Sequence, residues 1–111
     1  LSQPVSVEEL PGFAAGHITV QDGAAQLAAS LLQLEPNMRV LDACAAPGGK
    51  LTHILEIEST SIVTAIEKDK SRHAFIRENL NRLKQSAICH AADAADLKTW
   101  WDSKPFDRIL L

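Results

Sequence analysis

A glycine-rich turn, Cys44-Ala45-Ala46-Pro47-Gly48-Gly49-Lys50, follows a short apolar segment and is the most distinctive stretch of the sequence. Gly48 and Gly49 have no Cβ atom, so a ligand can approach the main chain closely there. Pro47 fixes one backbone angle of the turn. If a helix begins after the turn, its first amide groups face the bound ligand. The turn therefore predicts a binding site for a small molecule.

Acidic residues follow two further apolar segments. Glu67 comes 19 residues after Gly48, and its carboxylate offers only acceptors, which suits the two hydroxyl groups of a ribose. Asp93 ends the next apolar segment, where an acceptor suits the exocyclic amine of adenine, and Asp96 is the alternative for that role. The turn and the two acids predict an adenosine-containing cofactor without phosphates. S-adenosylmethionine fits this pattern better than NAD.

The turn does not match the known phosphate-binding motifs. A phosphate loop requires GxxxxGK followed by serine or threonine. Cys44 occupies the position of the first glycine, and Leu51 follows Lys50. The dinucleotide fingerprint GxGxxG is also absent, because the two glycines are adjacent.

Apolar periodicity predicts alternating strands and helices. Strands are predicted over 38–43, 61–66, 87–91 and 108–111, and helices after Asp22, after the glycine turn and over 70–84. This alternation is typical of a parallel sheet with helices on both faces, in which ligands bind beyond the carboxyl ends of the strands. We predict an α/β, Rossmann-like fold with a parallel sheet of which the sequence contains four strands.

The first part of the chain is expected to be an N-terminal extension, residues 1–22, before the cofactor-binding part, residues 23–111. Residues 17–21 are expected to form one short strand, and Asp22 is expected to cap the first helix. The apolar stripe of that helix is predicted to comprise Ala24, Leu27, Ala28, Leu31 and Leu34, with the helix ending at 35–37.

Composition narrows the function classes. The net charge is −3 and the isoelectric point is about 5.7, so no overall basic field exists to hold nucleic acid. Cys44 and Cys89 are far apart and no metal-ligand spacing involves the four histidines, so we expect a reduced, cytoplasmic protein without zinc. No membrane-spanning segment is expected.

Three stretches together resemble a known enzyme family. PGFAAGHITVQDGAAQ, LDACAAPGGK and the terminal FDRILL are similar to the RNA (cytosine-5)-methyltransferases, and most to the bacterial ribosomal RNA enzymes of the RsmB (Sun/Fmu) type. The resemblance covers essentially the whole chain. It implies a Rossmann-like S-adenosylmethionine-dependent methyltransferase fold, truncated here after the fourth strand. It also implies S-adenosyl-L-methionine as cofactor and RNA of the small ribosomal subunit as substrate. It assigns the cofactor site to Cys44, Ala45, Ala46, Pro47, Gly48, Gly49, Lys50, Glu67 and Asp93.

The resemblance also implies what this sequence lacks. Family members use cysteines of a DAPC motif and of a later TC motif, and neither motif is present here. Activation of the pyrimidine ring needs a covalent nucleophile. The chain is therefore expected to contain no catalytic residue and to bind cofactor without catalysing the reaction.

Several other residues carry weaker expectations. We expect Cys44 to be a small buried contact residue, Cys89 to lie in the core, and Asp42 to bond amides of the turn, with a direct cofactor contact as the alternative. Lys50 is expected to meet the methionine carboxylate of the cofactor. The basic residues of the third helix are interpreted as a solvated face, and the Trp100-Trp101 pair as a cover near the sheet edge.

Other functions remain open at this stage. The same family includes enzymes that act on transfer RNA, and the chain could be a cofactor-binding module without activity. An NAD-linked Rossmann domain is a third alternative. The oligomeric state and the target nucleotide are not determined by the sequence.

Overall fold

The computed structural model describes residues 4–111. Four parallel strands form one sheet in the order β3-β2-β1-β4: β1 is Arg39–Asp42, β2 is Ile62–Ile66, β3 is Ile88–His90 and β4 is Arg108–Leu110. Three α-helices connect or precede them: α1 is Gln26–Leu31, α2 is Gly49–Ile57 and α3 is Lys70–Leu83. Short 3-10 helices span Val7–Glu9 and Leu97–Thr99. The predicted parallel, Rossmann-like sheet is confirmed.

The sheet register brings the ends of β1, β2 and β3 to one edge. Leu41 pairs with Thr64, and Thr64 with Ile88. β1 lies in the centre, and its other neighbour is β4. Because parallel strands present their carboxyl ends on the same side, the glycine turn after β1 and the acids after β2 and β3 lie at a common edge.

The main hydrophobic core lies between one face of the sheet and the three α-helices. Leu51 and Ile54 of α2 and Ile76 of α3 are fully buried there, and each such side chain contributes about 1.5 to 3 kcal/mol by leaving water. The sheet supplies Val40, Val63 and Ala65 to this core.

The opposite face of the sheet is covered by the segment 92–106, which includes the second 3-10 helix. Trp100 is buried against Leu41 and Ile66, and Phe106 packs beside it. Within residues 4–111 all three α-helices therefore pack on one face of the sheet, and the opposite face carries only the 3-10 helix Leu97–Thr99. The predicted covering role is confirmed for Trp100, whereas Trp101 is 40% exposed.

Arg39 fastens this covering segment to the sheet. Its Nη2 donates hydrogen bonds of 2.9 Å to both carboxylate oxygens of Asp102, and its Nε donates to the carbonyl of Pro105. The guanidinium carbon also lies 5.2 Å from the centre of the Phe106 ring. A single arginine at the start of β1 therefore holds the loop that leads into β4.

The start of the chain differs from the prediction in two respects. Residues 17–21 form no strand and have no strand partner in the described part of the chain. The carbonyl of Ile18 instead accepts a hydrogen bond from Arg82 of α3. Asp22 does not cap α1: its Oδ1 accepts a 2.9 Å hydrogen bond from the Ala24 amide and closes a turn, and the helix begins only at Gln26.

The predicted apolar stripe of α1 is wrong at Leu27 and Leu31, whereas Leu34 packs against the core as predicted. Leu27 and Leu31 are 62% and 79% exposed, and Ala29 is the residue of this helix that is buried. The helix ends at Leu31 rather than near residue 35. Since α1 is only 6 residues long, its contact face is set by the α2 surface on which it packs.

Among residues 4–111 the longest helix is α3, with 14 residues. None of the described helices combines the length and the apolar character needed to cross a bilayer.

Candidate functional site

The glycine turn connects β1 to α2. Gly48 has a φ of 109°, which is a left-handed conformation, and α2 begins at the next residue. Glycine is required at such an angle because a side chain would be strained there. A cavity of about 180 Å³ lies between the turn and the N-terminal part of the chain, which contributes residues 20–22 and Ala25. The turn residues that line this cavity are Cys44, Ala45, Ala46, Pro47, Gly49 and Lys50. The structure thus gathers most of the predicted loop around one cavity.

Asp42 ends β1 directly before the turn and is 2% exposed. Its Oδ1 accepts a 3.3 Å hydrogen bond from the Cys44 amide, which confirms the predicted bond to the turn. Its Oδ2 is buried without a hydrogen-bond partner among the described residues. The pKa of this carboxyl is raised to about 6, mainly because the group is buried. The hydrogen bond from the Cys44 amide and the charge of Lys50 lower the pKa, and the charge of Glu67 adds a smaller increase.

Glu67 follows β2 and is 5% exposed. Its backbone continues the ladder with β3, since its amide donates to the carbonyl of His90 at 3.1 Å. Its Oε1 accepts a 2.9 Å hydrogen bond from the Asp69 amide. Its Oε2 is buried, has no hydrogen-bond partner among residues 4–111, and lies 3.8 Å from Nη1 of Arg72. One oxygen of this acid is therefore available to a ligand donor.

Asp93 lies after β3, and its carboxylate already has two partners. Oδ2 accepts a 2.8 Å hydrogen bond from Nζ of Lys68, and Oδ1 accepts a 3.0 Å bond from the Ala95 amide. The Lys68 hydrogen bond is the main reason that the pKa of Asp93 lies below its usual value. Asp93 therefore stays ionised, and each of its oxygens retains a lone pair for a ligand donor. Asp96, the alternative, is exposed.

One predicted contact residue, Cys44, differs in exposure from the expectation. Cys44 is exposed, so the prediction of a buried thiol is wrong. The chain turns outward at this residue, and its side chain lies at the cavity wall with Lys50. Lys50 is exposed in the first turn of α2. Cys89 is half-buried on β3, where burial raises the pKa of its thiol.

Side chains of α3 hold the turn from the other side, and the sequence interpretation missed them. Nη2 of Arg72 donates a 3.1 Å hydrogen bond to the carbonyl of Ala46, and Nδ2 of Asn79 donates a 2.8 Å bond to the carbonyl of Pro47. Arg72 and Arg82 belong to the basic face that the sequence predicts to be solvated. Arg72 is exposed and Arg82 is half-buried, and both guanidinium groups bond backbone carbonyls of distant segments, so this face also holds other parts of the chain.

Within residues 4–111 no group of three histidine, cysteine, aspartate or glutamate side chains is placed to share a metal ion.

The chain is similar in fold to solved methyltransferase structures. The crystal structure of NSun6 from Pyrococcus horikoshii with SFG superimposes with a TM-score of 0.87 and 32% identity, covering 97% of this chain and 28% of that one. A methyltransferase homologue from the same organism gives a TM-score of 0.84 and 28% identity, covering 98% of this chain and 36% of that one. The class is therefore the Rossmann-like fold of S-adenosylmethionine-dependent methyltransferases.

A family model described as 16S rRNA methyltransferase RsmB/F matches residues 29–111, and the chain belongs to this family. The ribosomal RNA small subunit methyltransferase B of Pseudomonas syringae pv. tomato is 55% identical over 112 aligned residues, covering 100% of this chain and 25% of that protein. The protein of the same name from Vibrio cholerae is 49% identical, covering 100% of this chain and 26% of its own length. The chain thus spans about a quarter of these relatives.

Proposed function

We propose that this chain is the S-adenosyl-L-methionine-binding part of an RNA cytosine-5 methyltransferase that modifies small-subunit ribosomal RNA. The observation that carries the proposal is the buried carboxylate of Glu67 at the same sheet edge as the glycine turn. One of its oxygens lacks a hydrogen-bond partner among residues 4–111. A buried acceptor without a donor is costly unless a ligand supplies one. Membership of the RsmB/F family agrees with this function.

The residues of the site fit the parts of such a cofactor. Glu67 would accept from the ribose hydroxyls, and Asp93 would accept from the adenine amine while Lys68 keeps it ionised. The turn from Cys44 to Gly49 would contact the cofactor through its backbone, and Lys50 would pair with the methionine carboxylate. The cofactor, when bound, supplies the methyl group. This chain's own residues bind and orient it.

Asp42 favours this cofactor over a dinucleotide. Its carboxyl is buried directly before the turn, and its pKa of about 6 leaves it ionised at neutral pH. A pyrophosphate placed on this turn would meet a buried negative charge, whereas a sulfonium or an ammonium group would be attracted to it. The charge at the turn therefore supports S-adenosylmethionine and opposes NAD.

Calorimetric titration with S-adenosylhomocysteine and with NADH tests the cofactor. We expect the first to bind and the second not to bind. Glu67→Ala is expected to weaken S-adenosylhomocysteine binding at least tenfold, because a buried acceptor of two hydroxyl groups is removed. Glu78→Ala is the matched control, since Glu78 is an exposed acid on α3. Equal affinity of both variants and the unmodified chain would contradict the ribose role.

The RNA substrate is tested on the full-length protein that contains this chain. Incubation with S-adenosylmethionine and either small-subunit ribosomal RNA or transfer RNA should label only the first. Bisulfite sequencing of the labelled RNA should show a single protected cytosine. Labelling of transfer RNA instead would assign the protein to another substrate, and absence of any labelling would favour a binding module without activity.

A further inference from the structure

Two side chains of α3 bond successive carbonyl groups of the glycine turn. Arg72 donates to the carbonyl of Ala46 at 3.1 Å, and Asn79 donates to the carbonyl of Pro47 at 2.8 Å. The two residues are seven positions apart, which is two helical turns, so they lie on the same face of α3. The neighbouring Ile76 and Leu80 are buried, which holds this face of the helix against the core.

The Asn79 bond determines the orientation of a peptide group in the turn. The carbonyl and the amide hydrogen of a trans peptide point in opposite directions. With the carbonyl of Pro47 held by α3, the amide of Gly48 points away from α3. Within residues 4–111 this amide has no acceptor. A Cβ atom at Gly48 would lie 3.5 Å from Cα of Ile76, so the turn packs directly against the helix.

Asn79 is itself oriented by Arg82. Nη2 of Arg82 donates a 3.2 Å hydrogen bond to Oδ1 of Asn79, which leaves the amide nitrogen of Asn79 facing Pro47. Nη1 of the same arginine donates to the carbonyls of Phe13 and Ile18, both at 2.9 Å. Its guanidinium lies 3.9 Å from the centre of the Phe13 ring. Two side chains therefore connect the N-terminal part of the chain to the turn.

We infer that Asn79 and Arg72 are positioning residues for cofactor binding, an inference that rests on the proposed function. They act through the peptide groups of the turn and not by touching the cofactor. By holding the carbonyl of Pro47 on the α3 side, Asn79 preorganises the amide of Gly48 for the ligand. The peptide nitrogen that follows the Ala46 carbonyl belongs to Pro47 and has no hydrogen, so Arg72 fixes the position of the turn and not the direction of an amide. Arg72 lies in addition 3.8 Å from the free oxygen of Glu67, so it joins the turn and the ribose acid.

Asn79→Asp is the sharpest variant, because aspartate keeps the size and the acceptor for Arg82 but loses the donor to Pro47. Asn81→Asp introduces the same charge on the same helix at an exposed position whose side chain has no hydrogen bond among the described residues. We expect calorimetry with S-adenosylhomocysteine to show about fivefold to tenfold weaker binding for Asn79→Asp and no change for Asn81→Asp. The thermal unfolding midpoint of Asn81→Asp should match that of the unmodified chain, whereas that of Asn79→Asp should be lower, because a carboxylate oxygen then faces the carbonyl of Pro47.

Arg72 is tested in the same way with Arg77 as its control, an exposed arginine on the same helix. Arg72→Gln is expected to weaken S-adenosylhomocysteine binding about tenfold, and Arg77→Gln to leave it unchanged. Arg72→Lys should restore part of the affinity, since an ammonium group can still donate to the Ala46 carbonyl. If Arg72 only stabilised the fold, Arg72→Gln would lower the unfolding midpoint, and Arg72→Lys would not restore affinity for S-adenosylhomocysteine.

A readout that needs no ligand separates the two proposals. The amide resonance of Gly48 in nitrogen–proton spectra should shift in Asn79→Asp and not in Asn81→Asp. Wild-type affinity in Asn79→Asp, or an unmoved Gly48 resonance, would overturn the positioning role and leave the cofactor site intact. Failure of the unmodified chain to bind S-adenosylhomocysteine would overturn the proposed function itself. If Asn79→Asp does not fold, the Arg72 series decides in its place.

Discussion

Asp42 and Cys44 are joined by a hydrogen bond in which the Cys44 amide donates to Oδ1 of Asp42 at 3.3 Å. This bond closes β1 and starts the glycine turn, and it uses only one oxygen of a buried carboxylate. The second oxygen has no partner among residues 4–111. Burial raises the pKa of Asp42 more than the Cys44 amide and the charge of Lys50 lower it, so the pKa is about 6.

The raised pKa of Asp42 predicts that stability falls as pH rises. The folded state holds the Asp42 proton more tightly than the unfolded chain does. The contribution of this proton to the free energy of unfolding is therefore fully present below the unfolded pKa of 3.8 and is lost as pH rises through about 6. The loss is about 1 to 1.5 kcal/mol between about pH 5 and about pH 8. Urea unfolding at both pH values should show this loss in the unmodified chain.

Asp42→Asn removes the titrating group while retaining an acceptor for the Cys44 amide. The variant should therefore lack the loss of stability between about pH 5 and about pH 8. The free energy of unfolding of the unmodified chain, minus that of the variant, should fall by about 1 to 1.5 kcal/mol over this interval. Asp96→Asn, at an exposed site, should leave the pH dependence unaltered. A pH dependence that survives in Asp42→Asn would show that another group is responsible.

Gly16 is expected to be essential for docking of the N-terminal segment. It has a φ of 76°, and a Cβ atom there would collide with the carbonyl oxygen of Arg82. Gly16→Ala should destabilise the docked segment by about 1 to 3 kcal/mol, and limited proteolysis should then cleave within residues 4–22 faster. Gly23→Ala is the control, since a Cβ at Gly23 meets nothing within 4 Å. Equal cleavage rates for both variants would contradict this prediction.

The exposed leucines of α1 are expected to matter little for stability. Leu31 is 79% exposed, whereas Leu51 of α2 is completely buried. Leu51→Ala should lower the free energy of unfolding by about 2 to 5 kcal/mol, because it leaves a cavity in the core. Leu31→Ala should change it by less than about 0.5 kcal/mol. A large loss for Leu31→Ala in chemical unfolding would restore the helical stripe that the sequence predicts.

The two cysteines are expected to react at different rates. Cys44 is exposed, whereas Cys89 is half-buried and burial raises the pKa of its thiol. Iodoacetamide at about pH 8 should modify Cys44 first, because the accessible thiolate is the reactive species. Mass spectrometry locates the label, and Cys44→Ser should abolish the fast phase.

Bound cofactor should also slow this modification. Cys44 lies in the wall of the cavity at the glycine turn, so S-adenosylhomocysteine should protect it and NADH should not. Unchanged labelling of Cys44 at saturating S-adenosylhomocysteine would place the ligand away from the turn.

The sequence by itself determined the order and type of most elements and the positions of the turn and the two acids. A continuous apolar run predicts a buried parallel strand, and all four strands lie within one residue of their predicted bounds. The glycine turn is equally clear from the sequence, because a proline followed by two glycines is typical of a tight turn. In the structure Gly48 adopts a backbone angle that other residues rarely adopt. These signals are local, so they can be read without knowing what packs where.

Only the tertiary structure decided which helix residues meet a partner. Periodicity shows that Arg72 and Asn79 share a face of α3, but their acceptors lie 26 and 32 residues earlier in the chain. It likewise groups Leu27 and Leu31 on one face of α1 without showing that this face is exposed. The physical reason is that a side chain's burial and hydrogen bonds depend on segments distant in sequence, which only the packed fold brings beside it.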